Sequence, residues 1–181
     1  MKKALILTTL LLSTHAVAAN TVDSEVLSLR YSDANNHATY GIGFTNIRGA
    51  GEYGFTLSAD VQNFDVNGEY IENVGQEKEI YEYQSIMGGL SYGVTDQFYV
   101  MPKVGFTYTK REDNFKDSLT NEKGEVVDYM GMSSKDEYGF AYGIDFMFLY
   151  KSLAYGIGIT DYNYLDTRET KANISVGYKF N

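Results

Sequence analysis

From Tyr138 to Tyr150 every second residue is aromatic or aliphatic. Tyr138, Phe140, Tyr142, Ile144, Phe146, Phe148 and Tyr150 share one parity, and Gly139, Ala141, Gly143, Asp145 and Met147 share the other. A period of two places alternate side chains on opposite faces of a β-strand. In a water-soluble sheet the apolar face packs on a core and the other meets solvent, where Lys, Glu, Thr and Gln dominate. Here the second face holds glycine, alanine and an isolated carboxylate. That pattern suits a sheet turned inside out, with bulky residues facing lipid and small ones facing a narrow lumen.

The same alternation recurs along the chain. Phe98, Val100, Pro102, Val104, Phe106 and Tyr108 oppose a parity with Lys103 at its middle, and Tyr53, Phe55, Leu57, Ala59 and Val61 oppose one that contains Asp60. Shorter runs begin at Leu27, Tyr40, Ile86 and Leu153, and the final one carries Ala172, Ile174, Val176, Tyr178 and Phe180 on one face. Eight such segments, each about 9 to 11 residues long, have the length of tilted membrane spans. The composition agrees, with one proline, 18 glycines, 17 tyrosines and 10 phenylalanines, an inventory richer in strand formers than in helix formers. The expected fold is an all-β, eight-stranded, antiparallel up-and-down transmembrane barrel.

Connections alternate in length. Thr95-Asp96-Gln97 and Lys151-Ser152 are tight turns, whereas 63–79 and 110–136 read as the two longest loops. Short periplasmic turns and longer external loops are the usual asymmetry of such barrels, and they put both chain ends on the periplasmic side. Before the first segment, Lys2 and Lys3 precede an apolar run from Ala4 to Leu12, then Ala16, Val17, Ala18 and Ala19. This reads as a cleaved signal peptide over 1–19, with the barrel over 20–181. The chain has no cysteine, which excludes a disulfide scaffold and a lipid-modified N-terminal Cys. Without Lys2 and Lys3 the remainder carries 13 basic and 24 acidic residues, a net charge of −11. Such a surface repels nucleic acid and heparin-like polyanions.

The segment Gly139-Phe-Ala-Tyr-Gly-Ile-Asp-Phe-Met-Phe148, the hairpin through Lys151-Ser152 and the closing Ile174-Ser-Val-Gly-Tyr-Lys-Phe180 resemble the last three strands of the small eight-stranded outer-membrane proteins, the group of the OmpX/Ail adhesins, the opacity-type proteins and the OmpA transmembrane domain. The resemblance implies residence in the outer membrane of a Gram-negative bacterium, among outer-membrane lipid and lipopolysaccharide. It also implies that Ile174, Val176, Tyr178 and Phe180 form the C-terminal signal read by the barrel-assembly machinery, here with Asn181 following the aromatic. A structural and adhesin-like role through external loops is the expected function, toward an extracellular protein or another surface ligand, with no cofactor.

Three candidate sites remain. Arg30, Asp60, Lys103 and Asp145 come from four segments on the lumen parity and are expected to pair inside the barrel, because an unpaired charge there would be costly. The alternative is a narrow channel for small or hydrophobic solutes. His37 is the one histidine beyond the signal segment, and barrels that modify lipid A use a histidine with a serine near the rim. The serines that could partner it, Ser32 and Ser118 of the pair Asp117-Ser118, read as loop residues, and no His-x-Ser spacing accompanies it, so a surface histidine is the plainer reading and no catalytic residue is assigned. The segment 110–136 mixes both charges with Phe115, Val127, Tyr129 and Met130. Its outer half, around Glu125–Met132, is expected to continue the flanking strands as a hairpin with its tip near Lys123-Gly124, offering an adhesive edge or merely capping the barrel. The acidic 63–79 segment lacks the oxygen-ligand spacing of an EF-hand, and no metal is expected.

Overall fold

The computed structural model describes residues 23–34, 37–71, 75–115, 118–120, 126–129, 133–164 and 167–180. The signal segment 1–19, Met130 and the hairpin tip Lys123-Gly124 lie outside them. The described strands are β1 (Ser24–Ala34), β2 (His37–Ile47), β3 (Tyr53–Ile71), β4 (Gly75–Gly93), β5 (Phe98–Phe115), β6 (Ser118–Thr120), β7 (Val126–Tyr129), β8 (Ser133–Tyr150), β9 (Leu153–Tyr164) and β10 (Thr167–Phe180). Eight of them form a closed barrel in the order β1-β10-β9-β8-β5-β4-β3-β2, and β6 pairs with β7 in a separate two-stranded sheet. Every pairing is antiparallel. Closure comes from β1 against β10, with Leu29 opposite Val176 and Glu25 opposite Phe180. No sheet edge of the barrel is left to hydrocarbon, where unpaired backbone groups are too costly to survive.

The large residues of each strand face outward. Leu29 is 72%, Val104 69% and Ile157 64% exposed, and Phe106, Phe140, Ile174 and Val176 join them in a continuous belt. A patch of this size cannot be stable against water; it is the surface of a barrel embedded in lipid. Register sets its upper limit. On the outward parity Val61 gives way to Asn63, Gln84 to Glu82, Tyr108 to Lys110, Tyr138 to Asp136 and Ile159 to Asp161, all in paired strands. Aromatic pairs mark both rims: Tyr31 with Tyr40 (5.7 Å between centroids) and Tyr108 with Tyr138 (5.0 Å) at the one with the long hairpins, Tyr53 with Tyr92 (4.9 Å) and Tyr178 with Phe180 (5.0 Å) at the one with the tight turns.

The strands on one side of the barrel are longer than the alternation indicates. The segment 63–79, expected as a loop, is instead a hairpin in which β3 and β4 stay paired from Asn63 opposite Glu82 to Ile71 opposite Gly75, with a bulge between Asn67 and Tyr70. Likewise β5 runs on to Phe115 and β8 starts at Ser133, so the expected 110–136 loop keeps only its middle, where β6 and β7 pair apart from the barrel instead of prolonging its strands. Beyond the belt the outward parity turns polar, so the pattern that marks a span ends while the backbone ladder continues.

Candidate functional site

The lumen is filled in three layers, each built from the inward parity. At the end with the tight turns, Val26, Ile47, Tyr99, Met101, Met147, Leu149 and Ala154 pack into an apolar plug. Tyr99 donates its hydroxyl to the Arg48 carbonyl at 2.9 Å, and Thr45 donates to the Met101 sulfur at 3.8 Å. At the end with the long hairpins Tyr83 and Tyr162 meet edge to face at 4.9 Å, although β5 and β8 stand between their strands, so the contact crosses the lumen. Tyr81 stacks on Phe64 (4.9 Å) and on Tyr164 (6.3 Å) just above.

Between the plugs lie the charges. Arg30 donates from Nε to Asp60 at 3.1 Å and from Nη1 to Asp145 at 2.6 Å, and Lys103 donates to the same Asp145 oxygen at 2.5 Å. Ser58 accepts from Lys103 at 3.4 Å, and Ser85 donates to Asp60 at 3.4 Å. All four side chains singled out from the sequence therefore meet in one buried network. A fifth, Lys171, was not singled out: it is 1% exposed, its ammonium lies 3.7 Å from Asp60, and it sits 4.2 Å from the Tyr83 ring centre. Its position just before the last alternating segment hid it. With Asn173 and Ser175 it shares the inward parity, which is the signal that could have found it.

Glycine makes room for the carboxylates. Gly41 lies opposite Asp60 and Gly158 opposite Asp145, and a Cβ on either would come 2.1 Å from the carboxylate oxygen beside it. Small residues on the inward parity thus leave space for long charged side chains reaching in from neighbouring strands.

With both ends of the lumen plugged, the purified barrel is expected to be silent in planar bilayers. Discrete current steps that change in Lys103→Ala would overturn this and restore the channel alternative.

At the mouth on the long-hairpin side Arg111 donates to Glu79 at 2.6 Å and lies over Tyr81 at 5.7 Å, while Tyr81 donates its hydroxyl to the same carboxylate. Tyr162 donates to Glu169 at 3.0 Å. On the outside of this rim Arg168 donates to Asp161 at 2.6 Å and covers the Tyr142 ring at 4.7 Å.

The remaining candidates fall elsewhere. His37 opens β2, but its side chain lies outside the described ones, as do those of Phe115, Val127 and Tyr129. The buried Ser32 is in register with Thr39 and Asn173, on the inward parity and not on the lipid side. Ser118 belongs to β6. Ile174, Val176, Tyr178 and Phe180 form the lipid face of β10.

No family model and no curated protein sequence matches the chain. Solved structures do. Ail, the attachment invasion locus protein of Yersinia pestis, aligns with a TM-score of 0.60 at 11% identity over 87% of this chain and 96% of that one. A second Ail structure is a complex with the heparin analogue sucrose octasulfate. A major outer membrane protein from Thermus thermophilus gives 0.56 at 10% identity, covering 88% and 100%. The outer membrane protein OprG from Pseudomonas aeruginosa gives 0.52 at 15% identity, covering 87% and 95%. The chain has the fold of the small outer-membrane β-barrels. At these identities the likeness concerns the barrel. What this barrel does must be read from its own lumen and rims.

Proposed function

We propose that the protein resides in the outer membrane of a Gram-negative bacterium as a sealed anchor, and that its role is surface interaction through the hairpins it holds outside. The observation that carries this reading is the one-sided extension of the barrel. β3 and β4 have 19 residues each and β5 and β8 have 18. At a rise of about 3.3 Å per residue and a tilt of about 40°, such a strand stands roughly 45 to 50 Å tall against an apolar band of about 25 Å. Roughly half of each long hairpin therefore projects beyond the lipid. A strand ladder carried that far from the membrane presents polar, charged faces and the β6–β7 pair to whatever approaches the cell.

The charge of the chain limits the partner. The acidic 63–79 hairpin and the net charge of −11 without Lys2 and Lys3 favour a basic or neutral protein surface over a polysulfate. The ligand of the Ail complex is therefore not carried over. In this reading the charge layer is structural, the lipid face of β10 serves insertion by the assembly machinery, and lipid and lipopolysaccharide surround the belt.

Trypsin treatment of intact cells tests the reading. Cleavage at Lys110, Arg111, Lys116, Lys123 or Lys135, with the strands protected, is the expected outcome. If no site is cut until the outer membrane is permeabilised, and digestion is then complete, both surface exposure and residence in the membrane fall.

A further inference from the structure

The tight-turn end of the barrel carries a small cavity that the surface-interaction reading does not use. It measures about 290 Å³ and is lined by Lys151, Ser152, Tyr178, Lys179 and Phe180, a volume near the lower end of those that hold small ligands. It lies where the β8–β9 turn meets the last strand, and the Lys179 amide donates to the Ser152 carbonyl at 2.8 Å across that junction.

Charge singles this corner out. Elsewhere on the same rim Asp23 pairs with Arg48 at 3.5 Å, and Asp96 accepts from the Ala50 amide at 3.1 Å. Lys151 and Lys179 form no ion pair among the described residues, and the Lys151 ammonium lies 5.5 Å from the centre of the Tyr150 ring. Among the described residues the one acidic side chain in the strand rows beside the cavity is Glu25, opposite Phe180. Lys151 and Ser152 of the turn and Lys179, on the inward parity of β10, thus line one cavity on a chain of strongly negative charge. Lys151 takes a left-handed conformation, φ 57°, as the two-residue turn between β8 and β9 requires, and glycine or asparagine would occupy it with less strain.

The other two lining residues settle the class of ligand. Tyr178 and Phe180 belong to the lipid-facing belt, and Leu153, Tyr155 and Val176 continue that exposed apolar surface. A group bound at the lysines would have its apolar remainder directed along this face. Resting on the outer-membrane reading, we infer that this cavity binds the phosphodiester headgroup of an anionic phospholipid of the phosphatidylglycerol class in the periplasmic leaflet. Lys151 and Lys179 face the phosphate, Ser152 donates to it, and the acyl chains lie over Tyr178 and Leu153.

The test is native mass spectrometry of the full chain in non-ionic detergent, titrated with phosphatidylglycerol, phosphatidylcholine or glycerol phosphate. Phosphatidylglycerol adducts are expected on the wild type, with roughly ten- to thirtyfold weaker binding in the Lys151→Ala/Lys179→Ala variant. Lys151→Asn alone suits the positive φ, so it should stay folded and still lose several-fold. Equal phosphatidylglycerol occupancy in wild type and variants would overturn the proposal. Glycerol phosphate binding as tightly as the lipid would overturn it too, by showing a site for free phosphate. Insertion of the wild type into vesicles, followed by strand protection, is scored separately. Its failure would sink the membrane reading, whereas loss of lipid preference in a protein that inserts would sink only this site.

Discussion

Asp145→Ala is expected to lower the unfolding free energy of the barrel by about 3–5 kcal/mol, the loss typical when one partner of a buried ion network is removed. One Asp145 oxygen accepts from both Arg30 and Lys103, and all three side chains are at least nine-tenths buried. Without it, Arg30, Lys103 and Lys171 face Asp60 alone, between the apolar cluster at one end and the tyrosines at the other. Asp60→Ala should cost less, because its contacts are longer: 3.1 Å to Arg30, 3.4 Å to Ser85 and 3.7 Å to Lys171. Equilibrium denaturant unfolding in detergent micelles or vesicles measures both. A loss under about 1 kcal/mol for Asp145→Ala would mean that the layer is solvated well enough to relax, and the sealed-lumen account would fail.

Ile157→Arg separates lipid from water as the surroundings of the belt. Ile157 lies outward in the middle of β9, opposite Phe146 and Ile174, and is 64% exposed. On a soluble protein a substitution at so exposed a position changes stability by about 0.5 kcal/mol or less. At the midplane of a bilayer an arginine on the lipid face of a barrel costs about 2–4 kcal/mol. Reversible unfolding from vesicles should show the larger loss, and arginine in place of Asn63, above the belt, should be nearly neutral. A neutral Ile157→Arg in vesicles would remove the belt from the membrane.

Much of the barrel was legible because its spans obey a period of two with unlike faces. Tyr138 to Tyr150 placed β8 to within a few residues at its inner end, and the mid-strand charges Lys103 and Asp145 stood out against glycine neighbours. What escaped was local in a physical sense. From residue 63 the pattern of β3 inverts, with polar Asn63, Asp65 and Asn67 on the parity that faces lipid below and apolar Phe64 and Val66 on the other, so the continuing ladder of β3 and β4 no longer reads as a span. Tyr99, Met101, Met147 and Leu149 sit on the parity of small residues, and nothing along the chain says that they converge from two strands with Val26 and Ile47 to plug one end. Tyr83 and Tyr162 are far apart in the chain, and only the closing of the barrel sets one against the other.

Sequence by itself determined that this chain forms strands with lipid-facing and lumen-facing sides, because side-chain direction in a strand follows from position alone. Tertiary structure decided which lumen side chains meet, that Lys171 joins Asp60, and that apolar and aromatic clusters lie on either side of the charges. Those outcomes depend on the stagger of eight strands around a closed ring, and stagger is a property of the pairing and not of any one segment.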